Sequence, residues 1–206
     1  KKIFLFFAAV AMTAGVMSAQ DINQATEAYN NGAMELQMGN NAAAVENFKT
    51  ALTMGEALGD EGADLVANCK KAISSAYLSM AKDLYNAKDF DGAVTAFQQA
   101  KEVAEGYGEA EIAAEAGELI GQTEMLKYNT AGKEAMKAKD YPTAIANFSK
   151  VLEMDPANGG VAIQLGQAYM RAGQLDESIA ALETAKANGE EENAAKLLSN
   201  IYLKKA

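Results

Sequence analysis

Phenylalanine recurs along the chain at nearly regular intervals. Beyond residue 20 the sequence contains four phenylalanines, and three of them follow an alanine by four positions. A spacing of four positions places two side chains on the same face of an α-helix. The recurrence therefore predicts that similar helical units are repeated along the chain. The alanine and phenylalanine pairs are Ala44 and Phe48, Ala93 and Phe97, and Ala144 and Phe148.

Other small residues keep the same register. Twelve positions before each of these alanines comes another small residue, and a weaker fourth copy follows the third copy after 34 positions. Small residues allow two helices to cross closely, because a bulky side chain would hold the backbones apart. We expect the phenylalanines to fill the space between one unit and the next. The additional small residues are Gly32, Ala81 and Gly132, and the fourth copy contains Gly166, Ser178, Leu182 and Ala185.

The composition favours helices over strands along the whole chain. Half of the residues are apolar, only two are proline, and no stretch shows the alternation of β-branched and polar residues that is typical of a strand. Asn40, Asp89 and Asp140 are placed so that their side chains can cap the second helix of each unit. The predicted helices are 23–38, 41–58, 62–87, 90–105, 109–138, 142–153, 158–171, 175–187 and 190–204.

This arrangement resembles the tetratricopeptide repeat, a unit of 34 residues that folds as a helix, a turn and a second helix. The last two copies are 34 positions apart, from Phe148 to Leu182, and Tyr128 replaces the tryptophan of the family pattern in the third copy. The first two intervals between phenylalanines, 49 and 51 residues, are longer, so we expect longer first helices in those units. The best-matching family positions are Gly132, Ala144, Phe148, Pro156, Leu165, Gly166 and Tyr169.

The resemblance implies an all-α fold, a right-handed α-solenoid of antiparallel helix pairs. One helical pair cannot bury its own apolar face, so neighbouring units must stack. About four units are implied, the first two of them lengthened, with a capping helix after the last. The units are 24–58, 62–106, 109–157 and 158–189, and the capping helix is 190–204.

The first nineteen residues differ from the rest of the chain. Two lysines precede an unbroken apolar run from Ile3 to Met12, and small residues follow the run. This order is typical of a secretory signal peptide, and the run is too short for a comfortable membrane span. We therefore predict that 1–19 is a signal peptide cleaved after Ser18 or Ala19, which leaves 20–206 as a bacterial periplasmic or secreted domain without a membrane span. An uncleaved anchor and a core helix are the alternatives.

Several classes of function lack the residues that they need. The net charge of −10 argues against nucleic-acid binding, and the sequence contains no histidine, the commonest metal ligand and general base. The single cysteine, Cys69, cannot form an internal disulfide, and we expect it to be buried as a small apolar residue. The acidic stretches 59–64 and 190–192 are interpreted as a solvated turn and as the start of a helix, respectively, rather than as metal sites. We therefore predict no catalytic residue, no metal and no cofactor.

The resemblance also implies where a ligand would bind. In the family, the first helices of successive units line a concave groove. Lys133 and Lys137 are four positions apart on such a helix, so they share a face. In an acidic chain this positive charge favours an acidic or C-terminal peptide segment as the ligand, and ordinary solvated helix faces are the alternative. The polar candidates are Lys82, Tyr85, Asn86, Asn129, Lys133, Lys137, Gln167 and Arg171, and the other residues predicted on the groove side are Tyr29, Ala33, Leu36, Leu78, Met136, Ile163 and Met170.

The sequence thus predicts an exported, non-enzymatic scaffold that binds an unidentified protein or peptide. A structural component of a cell-envelope assembly is one alternative. A small-molecule carrier or an enzyme is the other. The sequence leaves oligomerisation open.

Overall fold

The structure is a computed structural model that describes residues 19–205. Of the predicted signal peptide, 1–19, all but Ala19 lies outside the described residues. The described residues form α-helices and one short 3₁₀ helix, Gly59–Gly62, and contain no strand. The predicted all-α fold of consecutive helix pairs is therefore confirmed. The helices are α1 (Ala19–Gln37), α2 (Asn41–Ala57), α3 (Ala63–Asn86), α4 (Phe90–Tyr107), α5 (Ala110–Ala138), α6 (Tyr141–Met154), α7 (Gly159–Ala172), α8 (Leu175–Ala187) and α9 (Glu191–Lys205).

The helix ends lie close to the predicted ones, with the largest shift at the beginning of the first helix. Helix α1 begins at Ala19, four residues before its predicted start. The two helices that were predicted to be long, α3 and α5, contain 24 and 29 residues. Among the described residues, no helix combines the length and the apolar character that crossing a bilayer requires.

The helices are distributed over two compact units. Unit 1 comprises the described residues up to Ala87 together with Thr95–Gly117, and unit 2 comprises Lys88–Val94 together with the described residues from Glu118 onward. Helices α4 and α5 each contribute residues to both units. Within unit 1, α2 packs on α1 and on α3. Within unit 2, α7 packs on α6 and α8, and α9 packs on α8 and α7.

The core of unit 1 forms around Phe48. Its side chain is almost fully buried, in one cluster with Cys69 and Ile73 of α3. The ring of Tyr29 on α1 packs against it, with 5.3 Å between the ring centroids. A Cβ atom at Gly32 would lie 2.7 Å from Cδ1 of Phe48, so this helix crossing requires the absence of a side chain at that position. The phenylalanine therefore fills space between helices, as predicted.

Unit 2 repeats the same construction. Phe148 is 0% exposed and packs with Val161 and Leu165 of α7. A Cβ atom at Gly132 would lie 2.6 Å from Cε1 of Phe148, and one at Gly166 would lie 2.7 Å from Cγ of Leu182. A small residue thus packs against a large one in the third and fourth copies of the repeat, and leucine replaces phenylalanine in the weaker fourth copy.

The remaining residues of the repeat pattern are mostly buried. Pro156 is exposed and Tyr169 is half-buried. The fully buried members are Ala44, Ala81, Ala93, Phe97 and Ala144.

Two of the three predicted helix caps are present, and the third prediction is wrong. The side chain of Asp140 accepts a hydrogen bond from the backbone N–H of Thr143 at 3.2 Å, and that of Asp89 accepts one from Gly92 at 3.0 Å. Hydrogen bonds from Thr143 also hold the pKa of Asp140 below its ordinary value. Asn40 instead donates through its side-chain amide to Glu35 at 2.8 Å and caps nothing.

Cys69 is buried as the sequence predicted. Its side chain is 0% exposed, and burial raises the pKa of the thiol to about 11. The thiol is therefore protonated at neutral pH, as is typical of a buried structural cysteine.

Candidate functional site

The sequence-predicted residues of unit 2 converge on an open groove between α5 and α7, which we call the α5/α7 groove. Its volume is about 240 Å³. Helix α5 contributes two lysines and a methionine, α7 contributes two glutamines, and the phenylalanine of α6 lies at the bottom. The lining residues are Lys133, Met136, Lys137, Phe148, Gln164 and Gln167.

Helical spacing explains why these side chains meet. Lys133, Met136 and Lys137 are three and four positions apart, so they occupy one face of α5. Gln164 and Gln167 are three positions apart and occupy one face of α7. The two helices belong to successive copies of the repeat, and only their packing on α6 brings the two faces together.

The lysines of the groove carry positive charge that no ion pair within the described part of the chain offsets. Lys133 and Lys137 are exposed, and among the described residues neither ammonium group lies within ion-pair distance of a carboxylate. Nearby lysines differ, because Lys127 is paired with Asp91 and Lys150 lies 2.7 Å from Glu153. In a chain of net charge −10, the α5/α7 groove is therefore a locally positive surface.

Two other candidates in unit 2 lie outside this groove. Arg171 is exposed in the last turn of α7, where its charge suits the negative end of the helix dipole. Asn129 of α5 is half-buried, and its side-chain oxygen is buried without a hydrogen-bond partner among the described residues. Neither residue lines the groove with the two lysines.

The three candidates of unit 1 lie on α3. The ammonium group of Lys82 is 2.6 Å from a carboxylate oxygen of Glu115, so its charge is already offset. Tyr85 is half-buried and Asn86 is exposed. The prediction that these residues and those of unit 2 bind one ligand stays a prediction.

Two predicted residues of α7 pack against a core cluster, and one residue that was not predicted lines the groove. Ile163 and Met170 were placed beside the predicted groove, yet both pack against the cluster that includes Leu182 and Leu198. Gln164, which was not predicted, lines the α5/α7 groove instead. Consecutive residues on a helix are about 100° apart, and periodicity alone does not show on which side the next helix pair lies. The polar character of Gln164 next to an apolar Ile163 was the available signal.

Residues 135–201 match a sequence model of the tetratricopeptide repeat. No curated protein matches the chain at a significant level of sequence similarity.

Solved structures that are similar to this chain share low sequence identity with it. The C-terminal TPR-containing domain of a Plasmodium falciparum FK506-binding protein is 21% identical, with a TM-score of 0.40 over 67% of this chain and 91% of that domain. Yeast Tom70 is 15% identical, with a TM-score of 0.39 over 93% of this chain and 45% of that one. MamA from Desulfovibrio magneticus is 18% identical, with a TM-score of 0.28 over 87% of this chain and 94% of that one. This chain thus spans less than half the length of Tom70.

The sequence match covers α6 to α8 completely, together with the last turn of α5 and most of α9. It includes Phe148 and Gly166, which the structure places in the contacts between helices. Residues 135–201 are therefore similar in sequence to the tetratricopeptide repeat family.

Proposed function

We propose that this protein is an exported, non-enzymatic scaffold that holds an acidic or C-terminal segment of a protein or peptide, and that the α5/α7 groove is one of its contact sites. The observation that carries the proposal is the pair of lysines, Lys133 and Lys137, which have no ion-pair partner in the part of the chain that the structure describes and which line the groove with two glutamines. Tetratricopeptide repeats bind protein partners in general, which supports the class of ligand.

The chemistry of the α5/α7 groove suits an extended segment with carboxylates. The two ammonium groups offer charge to side-chain or terminal carboxylates. The amides of Gln164 and Gln167 can donate to, and accept from, a peptide backbone. Met136 provides an adaptable apolar contact for a neighbouring side chain of the ligand.

The size and openness of the groove favour a peptide over a small molecule. Small-molecule sites are enclosed clefts of roughly 300–1,000 Å³ that cover most of the ligand. The α5/α7 groove is open and measures about 240 Å³. It can therefore accept one or two side chains of a longer segment that continues across the surface, which disfavours the carrier alternative.

Binding should depend on the two groove lysines far more than on other lysines. Changing Lys133 and Lys137 to alanine should weaken binding of a glutamate-rich peptide with a free C-terminus by about tenfold or more, because each exposed charge pair contributes up to about 1 kcal/mol. Fluorescence anisotropy with a labelled peptide measures this. Replacing Lys82 with alanine should weaken peptide binding less, because the charge of Lys82 is offset by Glu115.

Matched controls distinguish binding at the α5/α7 groove from general electrostatic attraction between the peptide and the protein. Lys70 and Lys71 on α3 also lack ion pairs among the described residues, and changing both to alanine removes the same charge elsewhere. An amidated peptide with glutamine in place of glutamate should bind poorly to every variant. Added salt should weaken the unmodified protein more than the groove variant. Equal affinities for the unmodified protein and the Lys133→Ala, Lys137→Ala variant would contradict the proposal.

Export is tested separately, on the native protein. If the segment 1–19 is a signal peptide, native material in the cell-envelope fraction should begin at Ala19 or Gln20. N-terminal sequencing of that material decides the matter. A native chain that retains Ile3–Met12, or that fractionates with the cytoplasm, would overturn the export proposal and leave the groove proposal standing.

A further inference from the structure

Helix α9 presents an apolar strip that the rest of the described chain covers at Leu198, which is 6% exposed, and leaves uncovered elsewhere. Two of the most exposed large apolar side chains lie on it, Tyr202 at 53% and Leu203 at 75% exposure. Together with Glu183 and Lys186 of α8, the strip lines an open groove of about 530 Å³. We call this surface the α9 face. Its α9 members are Ala195, Leu198, Ser199, Tyr202 and Leu203.

The repeat register shows what kind of partner this face fits. Four of its residues lie 34 positions after residues of α7 that pack inside unit 2. In α7 these positions contact residues of the second helices, including Phe148 of α6 and Ala181 of α8. The α9 face is thus the surface that a first helix uses to pack against another helix. The corresponding pairs are Val161 and Ala195, Leu165 and Ser199, Ala168 and Tyr202, and Tyr169 and Leu203.

The charges of α9 are sorted along its length. Glu191 and Glu192 lie in its first turn, and Lys204 and Lys205 are its last helical residues. The carboxylate of Glu192 lies 2.7 Å from the ammonium group of Lys196, so Glu191 carries the charge of that turn that no ion pair among the described residues offsets. Glu191 precedes Ala195 by four positions, so the acidic end lies in line with the apolar strip. The stretch 190–205 contains three glutamates and three lysines and is neutral, whereas the whole chain carries −10.

We propose that the α9 face is a self-association surface on which two copies of this chain pair with their α9 helices antiparallel about a twofold axis. Antiparallel pairing places the glutamates of one copy opposite the terminal lysines of the other, twice in each dimer. A parallel pairing would place like charges together. The local neutrality removes the repulsion that the rest of the acidic surface would impose, and charges farther apart than about 10 Å are screened at 0.1 M salt.

Association is measured by sedimentation equilibrium on the chain from Ala19 to its end. Protein concentrations between about 1 μM and 1 mM cover the dissociation constants that a small interface can reach. The dimer fraction should rise with concentration. The double variant Tyr202→Glu, Leu203→Glu should raise the dissociation constant at least about tenfold. The control Met34→Glu, Met38→Glu changes a similarly exposed pair, one residue on α1 and one in the turn after it, at 59% and 61% exposure, and should leave the dissociation constant unchanged.

Charge reversal tests the antiparallel arrangement. The variants Glu191→Lys, Glu192→Lys and Lys204→Glu, Lys205→Glu should each be monomeric, because each dimer would then oppose like charges. Mixed in equal amounts, they should form a heterodimer, because both ends regain opposite charges. Circular dichroism of each variant checks that it remains helical.

Two results would overturn the proposal. One is a single-chain mass over the whole concentration range, which would assign the α9 face to a different partner. The other is failure of two helical charge-reversed variants to associate when mixed, which would exclude the antiparallel pairing.

Discussion

Replacing Phe148 with alanine is expected to lower the free energy of unfolding by about 3–5 kcal/mol. The side chain is 0% exposed and packs with residues of the helices on both sides, α5 and α7. Its removal would leave a cavity that Gly132 cannot fill, because that residue has no side chain. Urea unfolding followed by circular dichroism measures the loss.

The matched control lies on the same helix. Met154 of α6 is 39% exposed, and its replacement by alanine should cost less than about 1 kcal/mol, as surface substitutions usually do. If Phe148→Ala lost no more than Met154→Ala, the aromatic residue would not be holding neighbouring helices together. The mechanism assigned to the repeated phenylalanines would then be wrong.

Two glycines of α5 should respond in opposite directions to the same substitution. A Cβ atom at Gly132 would lie under 3.0 Å from three atoms of the Phe148 ring, and that ring is enclosed by the core. Gly132→Ala should therefore destabilise the protein by about 1–3 kcal/mol, the usual cost of overpacking. The same urea experiment measures it.

Gly121 provides the internal control. It lies in the same helix, and an added Cβ atom would meet nothing within 4 Å. Gly121→Ala should stabilise the protein by about 0.5–1 kcal/mol, because alanine is the better helix former. A stabilising effect at both positions would show that the close contact between Gly132 and Phe148 is not a constraint on this fold.

The sequence was sufficient for the helices and for the pairing of small and large residues. Helix ends depend on local signals, such as the cap at Asp140, and these act within a few residues. The recurrence of glycine and phenylalanine at fixed spacing predicted the contact between Gly132 and Phe148, because a repeated unit repeats its contacts. The burial of Cys69 followed from the apolar pattern of α3 in the same way.

Charge partners were decided by the tertiary structure. Lys82 and Lys133 hold the same place in the repeat pattern, yet Lys82 is paired with Glu115, 33 residues away, while Lys133 stays unpaired among the described residues. Which lysines can still attract a ligand depends on such distant pairings, and helical periodicity carries no information about them.

What the sequence by itself determined is where the helices lie and which residues form their contacts, since both depend on short-range spacing. Only the tertiary structure decided which side of α7 faces α5, and so placed Gln164 in the groove and the half-buried Ile163 against the core cluster of α8 and α9. It also showed that Tyr202 and Leu203 remain exposed on a helix whose equivalent positions in α7 pack inside unit 2. The reason is physical: a helix fixes the angles between its own side chains, but the position of its neighbours depends on contacts far apart in the chain.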